Sequence, residues 1–307
     1  MKIRKRAPKL SNIWRSTGTS TPKWEIHAGD ARKVLGLLTD ERFSCVVTSP
    51  PYFWQRDYGV GGQIGMEASV SDYVQSIVDT MSIVKRVLKK DGTLFLNLGD
   101  TYYSGKGKPH GCDMKHRGRR MNVLRAVDAS GLGFPKKSQL GLPWRIATAM
   151  IDEGWTLRSS IIWRRSRPLP EANVLDRPWR TYEFVFLFSK SARYHFDRSA
   201  LEEAEEEDVW SIDAKSVPGR THPAAFPKEL VTRCLDVSGI RRGEVLDPFA
   251  GSCTVLKVAV QRGLSATGID LNREFCSSAA SELSRITSMK ANKPIFSLAP
   301  KTPKSLG

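Results

Sequence analysis

Apolar positions along the first hundred residues change between two periods, and the change predicts strands and helices that follow one another. From Trp24 onward, WEIHAGD predicts a short strand, DARKVLGLL a short helix and FSCVVTS a buried strand. SVSDYVQSIVDTMSIVKRVLKKDG has apolar residues at helical spacing, with Gly92 as the expected stop, and TLFLNLGD predicts the next strand. Strands separated by helices are typical of an α/β fold with a mostly parallel, doubly wound sheet.

The alternation resumes in the second half of the chain. LPWRIATAMIDEG predicts an amphipathic helix, and SSIIW and FVFLFSKS predict strands near the edge of the sheet. PKELVTRCLDVSG, VLKVAVQRG and NREFCSSAASELSRI predict helices, the last of them capped by Asn272 or its neighbour, and GEVLDP and SATGIDLN predict the strands between them. We therefore expect one domain over residues 24–289.

Three segments lie outside this pattern. Residues 1–23 are basic and polar, which predicts a mobile arm, and residues 290–307 contain prolines and lysines, which predicts a flexible tail. Residues 101–140 form a glycine-rich insertion with nine lysines or arginines against two aspartates, a net charge of +7. Such a long aperiodic connection is typical of a functional or a disordered loop.

The composition limits the location and chemistry of the protein. No apolar run approaches the ~18 residues that a membrane span requires, and no apolar segment follows the basic first residues, so we expect a cytoplasmic protein without a secretory signal or a membrane partner. Five cysteines without a CxxC pair disfavour both a disulfide framework and a zinc cluster, so no metal is expected.

The charge balance indicates the class of partner. A formal net charge of +16 favours a polyanion, most simply nucleic acid, because each neutralised phosphate releases counterions. A basic surface that serves only solubility is the alternative that charge alone leaves open.

The stretch VLDPFAGSCTV, residues 245–255, predicts a ligand site between a strand and a helix. A small-residue turn lets a ligand approach the backbone at the positive end of the helix. Asp270 ends the next strand, where a carboxylate can accept hydrogen bonds from two ribose hydroxyls. Ser252 and Cys253 do not match the dinucleotide pattern GxGxxG, so S-adenosylmethionine fits better than a dinucleotide. The alternative is a plain strand-to-helix turn with an acidic cap.

The stretch TSPPYFW, residues 48–54, predicts acceptors for an amino group. Pro50 and Pro51 have no N–H, so the carbonyls around them lose local partners and can point outward beside the Ser49 hydroxyl. These acceptors can receive both hydrogens of an exocyclic amine on a base, and Tyr52 can stack on that base after its extrusion. The alternative is a strand end with buried aromatic side chains.

TSPPY together with DPFAGSCT and GIDLN resembles the DNA methyltransferases that modify cytosine N4 or adenine N6, in the permuted motif order of their β class. The resemblance covers roughly residues 24–285, and DRPWRTYEFVFLFSKS is similar to the late strand hairpin of the restriction and phage branch. It implies a Rossmann-like, S-adenosylmethionine-dependent methyltransferase fold with an antiparallel edge hairpin, for which residues 101–140 are the DNA-recognition insertion.

The resemblance also implies the site residues. The catalytic motif is Ser49, Pro50, Pro51 and Tyr52. The expected cofactor residues are Asp30 near the adenine, His222, Pro223 and Phe226 over the methionine end, and Asp247, Pro248, Phe249, Gly251, Ser252 and Asp270 in and after the loop. The expected DNA contacts are Lys106, Lys108, Arg117, Arg119 and Arg120, unless this insertion is only a solvated loop.

The target base follows from Ser49, because the serine form of the motif usually accompanies cytosine N4 methylation. We therefore expect methyl transfer from S-adenosylmethionine to N4 of a flipped cytosine in duplex DNA, and we allow for a separately acting restriction endonuclease as a partner. Adenine N6 methylation is the first alternative. A DNA-binding protein with a degenerate pocket is the second, since Cys253 stands where the family has glycine and must either avoid a positive φ or be strained.

Overall fold

The computed structural model describes residues 13–17, 22–55, 61–107, 126–165, 171, 174–213 and 227–291, and within them one nine-stranded sheet. The strands are β1 (Ile13–Arg15), β2 (Trp24–Ala28), β3 (Phe43–Thr48), β4 (Leu88–Leu98), β5 (Thr156–Arg164), β6 (Tyr182–Ser189), β7 (Val209–Ser211), β8 (Glu244–Asp247) and β9 (Ser265–Asp270). The helices are α1 (Ala31–Leu35), α2 (Val70–Val87), α3 (Leu142–Asp152), α4 (Ser199–Glu202), α5 (Lys228–Val237), α6 (Thr254–Gln261) and α7 (Arg273–Ala291).

The sheet has the strand order β1-β2-β9-β8-β3-β4-β6-β5-β7. Its centre is parallel, from β2 through β9, β8 and β3 to β4. Strand β6 runs antiparallel to both β4 and β5, so the predicted antiparallel hairpin near one edge is confirmed, and β7 adds a short parallel strand outside it. The amino-terminal end of β6 therefore lies beside the carboxyl end of β4.

Both faces of the sheet are covered, as the residues of the central strand β3 show. Val46 belongs to the core under α1, α2 and α3, together with Ile77 and Ile146. Cys45 and Val47 point the other way and join the core under α5, α6 and α7. A strand that is buried on both faces reads as a continuous apolar run, which explains FSCVV, and the predicted doubly wound α/β fold is confirmed.

The junction of α2 and β4 differs from the prediction. Gly92 was expected to stop the helix, but α2 ends at Val87 and β4 begins at Leu88 without a loop. Leu88 is fully buried and pairs with Phe43 of β3, so its place in the sheet outweighs the helix propensity of the two lysines that follow it. The glycine is needed inside the strand, because a β-carbon on Gly92 would lie 2.6 Å from a methyl carbon of Leu88.

The expected segment boundaries also differ in part. Residues 13–15 of the predicted arm form β1, which pairs antiparallel with β2, so these residues belong to the sheet. The two ends of the 101–140 insertion pair with each other, since the Tyr103 N–H donates to Ser138 and the Gly107 N–H to Asp128. Helix α7 extends to Ala291, two residues into the predicted tail. Residues 1–12 and 18–21 of the arm, 108–125 of the insertion and 292–307 of the tail lie outside the described residues.

Within the described part of the chain, Cys45, Cys234, Cys253 and Cys276 are buried free thiols. The same residues contain no group of three or more His, Cys, Asp or Glu side chains that could hold a metal ion. No helix among them has both the length and the apolar character that crossing a membrane would need.

Candidate active site at the carboxyl ends of the parallel strands

The two sequence motifs meet where β3 and β8 end side by side. Because β8 pairs parallel with β3 on one side and β9 on the other, the segments after all three strands lie at one edge of the sheet. The Thr48 hydroxyl donates a 2.8 Å hydrogen bond to the Asp247 carboxylate, although 199 positions separate the two residues in the sequence. This bond ties the residue before Ser49 to the residue before Pro248.

Asp247 is buried and stabilises the turn that follows β8. Its carboxylate also accepts the Phe249 N–H at 3.1 Å, which fixes the start of the loop. Burial raises the pKa of this carboxyl to about 7, against the two hydrogen bonds, which favour the ionised form. The two hydrogen bonds of Asp247 are both made within the protein. Its direct contact with a cofactor stays a prediction.

Cys253 was expected either to avoid a positive φ or to be strained, and it has a positive φ. Its backbone is left-handed, with φ 55° and ψ 40°, directly before helix α6 begins at Thr254. Such a conformation costs a residue with a β-carbon about 1–2 kcal/mol. The side chain is fully buried in the core under α5, α6 and α7, which offsets part of this cost.

The loop between β8 and α6 and the end of β9 fit the polar ends of an adenosine cofactor. Among the described residues no acceptor faces the Ser252 N–H, which lies just before the positive end of α6 and suits a carboxylate. The Asp270 carboxylate accepts the N–H groups of Gly251 and Asn272, each at 2.8 Å, and burial raises its pKa. Each of its oxygens keeps a second lone pair for a ribose hydroxyl.

Asp30 follows β2, next to β9, and caps a helix. Its carboxylate accepts the Arg32 N–H at 2.9 Å and forms an ion pair with the Arg32 guanidinium at 2.7 Å. These contacts hold its pKa below the ordinary range, with the Arg32 side chain as the main cause. The structure thus places Asp30 at the same edge as Asp270, and its contact with an adenine stays a prediction.

The proline carbonyls of the catalytic stretch do not both point outward. Among the described residues no donor reaches the Pro50 carbonyl. The Pro51 carbonyl accepts the Tyr73 hydroxyl at 3.0 Å, so the expectation of outward carbonyls is wrong for this residue. The reason is that Tyr73 is buried on α2, and a buried phenol needs a hydrogen-bond partner.

The three aromatic residues of the stretch have different environments. Phe53 is fully buried, and its ring centroid lies 5.2 Å from that of Tyr73, so it belongs to the core. Trp54 has a left-handed backbone with φ 51°, and its indole N–H donates to the Glu67 carbonyl at 2.6 Å. Both residues shape the turn beneath the site, and Tyr52 is the aromatic residue of the three that contacts Ser49.

Tyr52 lies in a polar network. Its hydroxyl is 2.6 Å from Glu183 Oε2, 3.2 Å from Asn97 Oδ1 and 3.3 Å from Ser49 Oγ. The ring packs so closely on Gly99 that a β-carbon there would lie 2.6 Å from a ring carbon. The position of the ring is therefore fixed, and its predicted stacking on a base stays a prediction.

Asn97, Arg165 and Glu183 were missed by the sequence reasoning. The Asn97 amide nitrogen donates to Glu183 Oε2 at 3.2 Å and to the Phe184 carbonyl at 3.1 Å, and Arg165 forms an ion pair with Glu183. A signal was present, because Asn97 and Glu183 are polar residues in the largely apolar strands TLFLNL and YEFVFLF. Nothing in either strand indicated which residue it would meet.

A second polar cluster stabilises the loop between β5 and β6 near the same edge. Glu171 accepts from Arg177 and Arg180, and the Arg177 side chain is the main cause that lowers the pKa of Glu171 to about 2. The Arg177 guanidinium lies 3.9 Å from the centre of the Tyr102 ring, and Arg180 donates to the Asp100 carbonyl at 2.6 Å. Two arginines are thus held next to the end of β4.

The remaining predicted residues divide between exposed and undescribed positions. Lys106 is exposed on the described end of the insertion. The other predicted DNA-contacting residues, Lys108, Arg117, Arg119 and Arg120, lie outside the described residues. The same holds for the expected cofactor residues His222, Pro223 and Phe226.

Comparison with known proteins agrees with this architecture. The model of the family N6_N4_Mtase, described as DNA methylase, matches residues 43–281. The type II methyltransferase M.SmaI of Serratia marcescens is 41% identical over 270 residues, covering 85% of this chain and 91% of the relative. M.Cfr9I of Citrobacter freundii, also a type II methyltransferase, is 40% identical over 265 residues, covering 84% and 87%.

Solved structures share the fold. The PvuII DNA methyltransferase, named as cytosine-N4-specific, matches with a TM-score of 0.66 and 21% identity, covering 89% of this chain and 93% of its own. A putative DNA modification methylase of Thermus thermophilus, solved with S-adenosyl-L-methionine, matches with a TM-score of 0.57 and 22% identity, covering 85% and 95%. Since the family model spans most of the chain and the two type II relatives match over most of their own length, the protein belongs to the N6_N4_Mtase family of DNA methylases.

Proposed function

We propose that this protein transfers a methyl group from S-adenosylmethionine to the N4 amino group of cytosine in duplex DNA. The observation that carries the proposal is the bond between Thr48 and Asp247, because it joins an amine-binding loop to a cofactor loop at one sheet edge. Two loops that hold both substrates side by side convert a bimolecular reaction into an effectively unimolecular step.

The cofactor loop holds one substrate. When bound, S-adenosylmethionine supplies an activated methyl group on a sulfonium. The Ser252 N–H and the amino end of α6 receive its carboxylate, and Asp270 receives the ribose hydroxyls. Asp30 lies toward the adenine, and His222, Pro223 and Phe226 close over the methionine end in the same proposal.

The catalytic stretch holds the other substrate. Ser49 Oγ and the Pro50 carbonyl accept the two hydrogens of the exocyclic amine. Accepting both hydrogens favours a pyramidal nitrogen, whose lone pair is withdrawn from the ring and directed at the methyl group. Tyr52, held against Gly99, stacks on the flipped base. Extrusion is required because the amino group is otherwise hidden in the base pair.

Two observations support cytosine as the target. Ser49 gives the motif its serine form, and the solved structure with a TM-score of 0.66 is named as cytosine-N4-specific. The net charge of +16 supports a DNA substrate, and Arg177 and Arg180 are held near the site by Glu171. The predicted contacts of Lys106, Lys108, Arg117, Arg119 and Arg120 with DNA belong to the same proposal.

The proposal is tested by methyl transfer to unmethylated DNA with tritium-labelled S-adenosylmethionine, for wild type and for Ser49→Ala. We expect incorporation into DNA with the wild type and a rate lower by at least about 10-fold with Ser49→Ala, which loses one acceptor for the amine. Single-molecule sequencing of the product then reports the modified base and its sequence context. Wild-type protein that binds DNA but not the cofactor would favour the degenerate DNA-binding alternative over an enzyme.

A further inference from the structure

Glu183 lies at the start of β6 and faces the catalytic stretch. Strand β6 pairs antiparallel with β4, with Asn97 opposite Val185 and Leu98 opposite Phe184, so its first residues lie next to the carboxyl end of β4. The Glu183 side chain is 12% exposed and forms an ion pair with Arg165, which favours its ionised form. An ionised carboxylate accepts hydrogen bonds and donates none.

The contacts of Asn97 fix the direction of its amide. Its nitrogen faces Glu183 Oε2 at 3.2 Å and the Phe184 carbonyl at 3.1 Å, and both of these are acceptors. The amide oxygen must therefore be the atom that faces Tyr52, at 3.2 Å. The Tyr52 hydroxyl is thus adjacent to two acceptors, Glu183 Oε2 and Asn97 Oδ1.

The direction of the remaining hydrogen bond follows. A phenol has one hydrogen, and the short 2.6 Å separation from Glu183 indicates that Tyr52 donates it to the carboxylate. Ser49 Oγ lies 3.3 Å from the same Tyr52 oxygen and is the donor of this hydrogen bond. With its hydrogen turned toward Tyr52, the Ser49 oxygen presents lone pairs in its other directions.

We propose that Glu183 is a positioning residue that makes Ser49 an acceptor for the substrate amine by orienting the hydroxyls of Tyr52 and Ser49. Serine by itself can donate or accept, and a donating Ser49 would meet the N–H groups of the amine with a hydrogen. The chain from Ser49 through Tyr52 to Glu183 removes this ambiguity. The inference rests on the proposed function, because it assigns a role in binding the amine.

The role of Glu183 is tested by single-turnover methyl transfer with a double-mutant cycle of Ser49→Ala and Glu183→Gln. The glutamine side chain keeps the size of Glu183 but can donate to Tyr52, which allows the chain to reverse. We expect Glu183→Gln to lower the rate about 10- to 100-fold, with cofactor affinity and melting temperature changed little. In the Ser49→Ala background the same substitution should have little further effect, because the residue that it orients is gone.

Glu203→Gln, at an exposed glutamate of the same type, is the matched control and should keep the wild-type rate. If the glutamine variant fails to fold, Glu183→Asp enters the same cycle, since the shorter carboxylate lengthens the bond to Tyr52. Equal losses from the Glu183 substitution with and without Ser49, or a wild-type rate for Glu183→Gln, would overturn the proposal.

The outcomes for the base and for Glu183 are distinct. Transfer to adenine by the wild type would remove the cytosine assignment, and the cycle would still report whether Glu183 acts through Ser49. A wild-type protein that methylates neither base would remove the proposed function and the role of Glu183 together.

Discussion

Gly99 and Tyr52 are packed so closely that a β-carbon on Gly99 would lie 2.6 Å from a carbon of the tyrosine ring. Real β-carbons essentially never approach a ring so closely, and the neighbouring ring atoms at 3.1 and 3.2 Å leave no direction for a small adjustment. Gly99 therefore sets the depth at which Tyr52 lies in the site.

Gly99→Ala should displace Tyr52 and lower the rate of methyl transfer. A displacement of about 1 Å at a reacting group can reduce a rate about 100-fold, while the fold is expected to persist. The measurement is single-turnover transfer together with the melting temperature. Gly61→Ala is the matched control, because an added β-carbon there meets no atom within 4 Å. Equal rates for the two alanine variants would contradict the positioning role of Gly99.

Thr48→Val should remove the hydrogen bond that connects the catalytic stretch after β3 to the loop after β8. Valine has the shape of threonine but leaves Asp247 Oδ1, among the described residues, with the Phe249 N–H alone as a donor. We expect the free energy of unfolding to fall by about 1–3 kcal/mol in urea titrations. Thr80→Val is the control, since the buried Thr80 hydroxyl donates to a carbonyl of its own helix and its removal should cost less. A Thr48→Val protein as stable as wild type would contradict a stabilising role for the hydrogen bond between Thr48 and Asp247.

Asp247→Asn should change how stability depends on pH. The pKa of Asp247 is about 7 in the folded protein against an ordinary 3.8, mainly because of burial. The folded state therefore binds a proton that the unfolded state has lost between about pH 4 and 7, and the stability of the folded state falls as pH rises through this range.

Asparagine is neutral throughout, so the stability of wild type relative to Asp247→Asn should fall between about pH 4 and 7. The expected change is on the order of 1 to a few kcal/mol, measured by urea unfolding without cofactor. A difference between the two proteins that does not vary with pH would show that the folded state does not raise this pKa.

Arg42→Met should destabilise the opposite edge of the sheet without affecting catalysis. Arg42 bonds Glu25 at 2.7 Å and Glu244 at 2.6 Å, at the amino end of β3. Burial would raise the pKa of Glu25, but the close contacts of its carboxylate with His27 and Arg42 outweigh burial and lower the pKa to about 2. Removing Arg42 leaves two partly buried carboxylates, with an expected loss of about 2 kcal/mol or more.

The same contacts predict the pH range of this loss. The contribution of Glu25 is present above its ordinary pKa of 4.5 and disappears as pH falls toward 2, so the Arg42→Met deficit should shrink over that range. Urea unfolding measures the stability and single-turnover transfer measures the activity. Lys33→Met, at an exposed residue, should leave both unchanged. A lower transfer rate for folded Arg42→Met would contradict the separation of this edge from the site.

The sequence predicted the elements and the meeting of the two motifs, for a physical reason. Burial of both faces of the sheet imposes the apolar periods, and parallel strands place their carboxyl ends at one edge. The link between Thr48 and Asp247 is a consequence of that rule, although the sequence did not indicate the atoms involved.

The contact between Tyr52 and Glu183 could not be predicted in the same way. It spans 131 positions and depends on the register of β6 against β4, where a shift of one residue would turn Glu183 to the other face. The end of α2 was misplaced because burial of Leu88 in the sheet outweighs local propensity. Cys253 shows a related limit, since its left-handed backbone is imposed by the fold against the preference of the residue.

The central claim is tested most directly by digesting DNA methylated by the wild-type protein to nucleosides and identifying the products by mass spectrometry. The proposed roles of Ser49, Tyr52 and the loop that follows Asp247 predict N4-methylcytosine as the product, formed only with S-adenosylmethionine present. Finding N6-methyladenine alone, or no methylated nucleoside from folded protein that binds DNA, would contradict the claim.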